Sequence, residues 1–122
     1  MVVLCTIWLL AGAFVEGRPA PECAGREVAA LFADAGEAKA ERRWSDEGAE
    51  IWRRELRRGE WAFVLMNRGE RVVSIDVIWK EHGLSGSPRV RDVGRGEDRG
   101  KVHAGFAERV EPGEAVLLRV KP

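Results

Sequence analysis

The 122 residues include no Tyr, two Cys, two His and five Pro, and the 20 basic side chains are matched by 20 acidic ones. Each scarcity closes a class of explanation. Cys5 and Cys23 alone cannot staple a disulfide scaffold, and five scattered Pro exclude a collagen-like or proline-rich chain. A net charge of zero removes the electrostatic pull that holds proteins on nucleic acid or anionic lipid, so neither partner is expected. Lys is confined to Lys39, Lys80, Lys101 and Lys121, and Arg carries the other basic charges. That skew reads as compositional bias rather than as a site. Long apolar runs are also missing, with one exception: Val2 to Val15 (VVLCTIWLLAGAFV). It falls short of the roughly 20 residues a membrane-crossing helix needs, so no membrane span is expected. Two readings remain. One is a signal peptide within residues 1–20, making the protein secreted or periplasmic, although Met1 alone precedes the run where a basic segment belongs. The other is a buried piece of a larger domain, in a cytoplasmic protein.

What the chain does have is 45% hydrophobic residues, enough for one ordinary domain, and five Trp. Between Glu22 and Lys39, Val28, Ala29, Leu31 and Phe32 recur at helical spacing, with Gly36 placed to end the helix in a left-handed cap. Ala40 to Gly48 is polar and reads as a linker. Strands are then expected over Ala49–Leu56, Trp61–Met66, Val72–Trp79, Pro88–Val93, Val102–Val110 and Val116–Val120. Turns at Arg57–Glu60, Asn67–Glu70 and Pro112-Gly113 and a polar loop from Gly94 to Gly100 separate them. Trp61–Met66 is unbroken apolar sequence, as in a strand covered on both faces. Val73, Ile75, Val77 and Trp79 alternate with Ser74 and Asp76, as in a strand with one wet face. In the later strands Val102, Ala104, Phe106, Val116, Leu118 and Val120 face inward. The fold class is therefore mostly β, an antiparallel Greek-key-like sandwich over residues 44–122, preceded by a short helical and apolar segment over 1–43.

Chemistry-bearing patterns are sparse. His82 and His103 stand 21 residues apart and read as exposed loop histidines. With Cys5 and Cys23 they make no zinc-ligand spacing, so no metal is expected. The two thiols read as small buried groups, or as a disulfide in an exported protein. Ser45, Ser74, Ser85 and Ser87 lie outside any nucleophile elbow, and Gly94-Arg95-Gly96 precedes no helix, so no cofactor is implied. The carboxylates Asp46-Glu47, Glu60 and Glu97-Asp98 fall in turns. Arg53, Arg54, Arg57 and Arg58 are interleaved with Glu50, Glu55 and Glu60 and read as a solvated mixed-charge face. Trp61 and Trp79 belong to core-facing runs. Trp44 and Trp52 are the candidate sugar-stacking residues, their flat apolar faces suited to a pyranose ring.

An ordered series of motifs gives the chain a resemblance. Glu50-Ile51-Trp52, Arg54, Leu56, Gly59, Ala62 and Leu65-Met66-Asn67-Arg68-Gly69 resemble the C-terminal β-domain of the alpha-galactosidases of glycoside hydrolase family 27. Ser74-Ile75-Asp76-Val77, Trp79, Gly83-Leu84, Val90-Arg91-Asp92-Val93, Glu97-Asp98-Arg99-Gly100 and the closing Phe106, Val110, Pro112 and Val116–Arg119 continue it. Gly94 stands where the family usually has Trp. Upstream, Arg26-Glu27-Val28-Ala29, Asp34, Gly36 and Arg42-Arg43-Trp44 are similar to the segment leaving the last helix of the family's barrel. There Phe32-Ala33 and Ala35 depart from the usual N-Q and Pro. Trp8 and residues 11–17 are faintly similar to the stretch near the eighth barrel strand.

The resemblance implies a (β/α)8 barrel as partner, since family members place this domain after one. They cleave terminal α-linked galactose with retention, using two aspartates about 5 Å apart at the ends of barrel strands. None of Asp34, Asp46, Asp76, Asp92 or Asp98 lies in the family's K-x-D-x-C motif, and a barrel takes about 250 residues. The expectation is a non-catalytic domain with no catalytic residue of its own, supporting a barrel that this chain lacks. The alternative is a free-standing carbohydrate-binding or docking module that holds galactosides weakly. The resemblance favours residues 1–43 as a barrel remnant over a signal peptide. Its apolar side chains would then drive association with a barrel or with a second copy, and a chain begun near Trp44 is expected to be soluble and monomeric.

Overall fold

The computed structural model describes residues 31, 33–36 and 38–122. Eight strands follow one another: β1 (Glu41–Asp46), β2 (Ala49–Glu55), β3 (Trp61–Asn67), β4 (Val73–Ile78), β5 (Arg89–Asp92), β6 (Glu97–Lys101), β7 (Gly105–Val110) and β8 (Ala115–Lys121). Six make one sheet in the order β1-β2-β3-β8-β5-β6, and β4 and β7 pair as a second. Every pairing is antiparallel. The chain leaves the large sheet after β3, returns for β5 and β6, crosses again for β7, and closes with β8 between β3 and β5. Those crossings between sheets are the expected sandwich.

β3 explains the architecture. Phe63 and Leu65 face the small sheet and join Ile51, Ile75, Val77, Trp79, Phe106, Val116 and Leu118 in the inner core. Ala62, Val64 and Met66 point the other way into a second apolar cluster with Leu117 and Leu56. An unbroken apolar run is what two covered faces demand. β4 has one wet face, with Ile75 and Val77 buried and Ser74, Asp76 and Ile78 exposed. Trp61 is only half-buried and packs at the rim of the inner core.

Several elements differ from expectation. Residues 41–46, read as linker, form β1, and residues 97–101, read as loop, form β6. Both are edge strands of the large sheet, and every β1 side chain is exposed. Polar, charged sequence on an edge discourages pairing with other chains, and it hides the strand from a hydrophobicity reading. β7 starts at Gly105 rather than Val102. Ala104 occupies a positive-φ turn (φ 67°) and is exposed, so it shares no inward face with Phe106. Trp79 lies past the end of β4 in a 3-10 turn (Trp79–His82), fully buried, with its indole N–H donating to Val102 O at 2.8 Å. In the same turn His82 is buried, its ring edge-on to Phe63 at 4.9 Å, and so is no exposed loop residue.

At the N-terminal side, Leu31 and residues 33–35 are helical, and Gly36 takes the left-handed conformation expected of it (φ 54°). The earlier part of the expected helix, the apolar run, the alternatives of signal peptide and barrel remnant, and Cys5 and Cys23 lie outside the described residues. β1 runs across the position between residues 43 and 44.

Candidate functional site

The outer face of the large sheet holds the arrangement richest in unusual groups. Register aligns Val64 of β3 between Trp52 of β2 and Leu117 of β8, and Met66 opposite Ala115. Leu31, fully buried, and Ala35 pack into this row from the helical segment. One turn of helix thus seals a sheet face that would otherwise be an exposed apolar patch.

Two arginines fix the segment in place. Arg54 projects from β2 on the same face as Trp52 and is 2% exposed. Its Nε–H donates to Ala38 O at 2.5 Å and its Nη2–H to Gly36 O at 3.2 Å. Carbonyls at a helix end lack intrahelical partners and carry partial negative charge, so a guanidinium satisfies them twice over. Burial pulls the Arg54 pKa below its ordinary value, and the expected solvated face is corrected at this residue and at Glu50, which is also buried. A strand's period of two would have placed Arg54 with Trp52 and Leu56, yet buried arginines are too rare to be assumed from pattern.

Arg119 of β8 is the second anchor. Its Nε–H donates to Glu60 Oε1 at 2.8 Å, and its Nη2–H donates to Asp34 Oδ2. Burial works against its charge, but the bonds to Asp34 and Glu60 outweigh it and raise the pKa. The Arg119 bond holds the Asp34 carboxyl below the usual range against some desolvation, with Arg119, Arg57 and Arg58 adding positive potential.

The sequence-designated Trp residues do not converge. Trp52 belongs to the outer face, half-buried against the apolar row, with its indole N–H donating to Glu50 Oε1 at 2.7 Å. Trp44 pairs with Ile51 across β1 and β2, on the other face, and is 43% exposed. It lines a groove between the free edges of β1 and β4. Trp61 carries the Arg53 guanidinium 4.6 Å above its ring, which needs no ligand.

The aspartates are equally dispersed. Asp34 is held by Arg119, Asp46 and Asp76 lie exposed on β1 and β4, and Asp98 caps Gly100 N at 2.8 Å. Asp92 is buried at the end of β5 and accepts from Arg95 N at 3.0 Å. Among the described residues no three His, Cys, Asp or Glu converge as metal ligands.

Residues 46–120 match the alpha galactosidase C-terminal beta sandwich domain. The chain belongs to that family. Among solved structures this C-terminal sandwich is similar to part of the GH27 β-L-arabinopyranosidase of Geobacillus stearothermophilus, at 19% identity and a TM-score of 0.80, covering 98% of this chain and 29% of that one. It is also similar to part of alpha-galactosidase I from Mortierella vinacea, at 22% identity and a TM-score of 0.70, covering 77% of this chain and 26% of that one. An Anoxybacillus alpha-amylase shares the fold at 12% identity and a TM-score of 0.60, over 79% of this chain and 21% of that one. No curated protein matches the chain. The chain spans under a third of each of these structures, and these identities speak for the fold.

Proposed function

We propose that this C-terminal β-sandwich supports a (β/α)8 glycosidase barrel and docks it through the outer face of the large sheet. One observation carries the reading: the segment that resembles the barrel's exit is bound to that face through Leu31, Asp34 and the backbone carbonyls of Gly36 and Ala38. A barrel preceding this segment would lie on the same side. The residues before β1 then belong to the end of that barrel, Glu41–Arg43 being part of the sandwich, and the galactoside chemistry belongs to the barrel's aspartates. The sandwich contributes a wall, not a reacting group.

Co-expression with the barrel encoded in the DNA adjoining this chain's gene tests the proposal. The two should co-purify, and Val64→Asp, which places a charge in the apolar row, should abolish the association. Unrelated adjoining sequence, or association indifferent to Val64→Asp, would contradict it.

A further inference from the structure

We propose that the groove between the edges of β1 and β4 is a binding site for neutral oligosaccharides, with Trp44 as its stacking platform. The groove consists of two adjoining hollows of about 330 and 480 Å³ that share Trp44 and Ser74. Each falls in the ~300–1,000 Å³ range of small-molecule sites. It lies away from the outer sheet face, so it is independent of the docking proposed above.

Its chemistry selects the ligand. Trp44 presents an exposed indole with an electron-rich face, suited to the polarised C–H groups of a pyranose ring. Carboxylates border it at both ends: Asp46, Glu47 and Glu70 in one hollow, Asp76 and Glu81 in the other. They accept hydrogen bonds from hydroxyl groups, while Arg71 in the first hollow and Arg43 in the second donate. Five carboxylates against two guanidiniums leave the groove net negative. A uronate, a sulfated glycan or a nucleic acid would be repelled.

The backbone argues against the other occupant an edge groove suggests, an added peptide strand. β1 shifts register between Arg42 and Trp44, and such a bulge breaks the regular ladder that strand addition requires. At the groove's end the β1–β2 turn packs against the loop between β3 and β4, where Arg68 N–H donates to Gly48 O at 2.7 Å. A Cβ on Gly48 (φ 94°) would meet Gly69 N at 2.7 Å, so the two backbones touch along this wall.

Calorimetry on the full chain with galactotriose, mannotriose and trigalacturonate tests the site. At least one neutral trisaccharide should bind with a Kd of about a millimolar, and trigalacturonate at least about tenfold more weakly. Trp44→Ala should lose at least about tenfold in affinity and Trp44→Phe less, both with unchanged melting temperature, while Trp52→Ala should bind as the parent does. No binding of either neutral sugar at about 10 mM, full binding by Trp44→Ala, or preference for trigalacturonate would overturn the proposal.

Discussion

Asp92 is 1% exposed, and its Oδ2 finds no hydrogen-bond partner. Burial raises its pKa, outweighing the backbone bond and the charge of Arg95. A carboxyl raised in the folded state stabilises the fold while protonated, below its unfolded value of about 4, and that contribution is lost as pH rises through the folded value. Asp92→Asn keeps the acceptor for Arg95 N and removes the buried charge. It should therefore melt higher than the parent at pH 7, with the gain vanishing below about pH 4. A lower melting temperature at pH 7 would show that the Arg95 attraction outweighs burial. Leu65 poses the plainer case, fully buried and registered between Ile51 and Val116. Leu65→Ala should cost about 2–5 kcal/mol by denaturant unfolding, while exposed Arg71→Ala should change little. Equal values would mean that Leu65 is not in the core.

The elements follow the same division between what pattern reveals and what geometry decides. β2, β3, β4 and β8 were legible because apolar periodicity reports burial directly. β1 and β6 were not, because an edge strand can be polar on both faces and is held by its ladder alone. The outer-face site was half legible: Asp34, Gly36 and Arg54 carry the resemblance, but no spacing in the chain says that Arg54 reaches the carbonyls of Gly36 and Ala38. Arg54→Met should loosen the segment while sparing the sandwich. Hydrogen exchange should speed up at residues 33–38 and stay slow at Phe63 and Leu65; unchanged exchange in the segment would contradict the anchoring role. The same packing revises one expectation. A chain begun at Trp44 loses Leu31, Ala35 and half of β1, uncovering Val64, Met66 and Leu117. It should self-associate in sedimentation velocity, and a well-behaved monomer would show that the outer face needs no cover.

At the scale of the whole molecule, two surfaces differ in chemistry. The outer sheet face is apolar and arginine-pinned, as suits a permanent intramolecular neighbour. The edge groove mixes carboxylates with one indole and a few aliphatic side chains, as suits the proposed soluble ligand. The central claim, support for a catalytic barrel without catalysis of its own, is tested most directly by the hydrolysis rate of an aryl α-galactoside. The rate would be measured for the chain, for a family barrel expressed separately, and for the two together. The prediction is no turnover by the chain and a faster rate for the mixture than for the barrel, lost on Val64→Asp. Turnover by the chain alone above a heat-killed control, abolished by Asp76→Asn or Asp92→Asn, would contradict it.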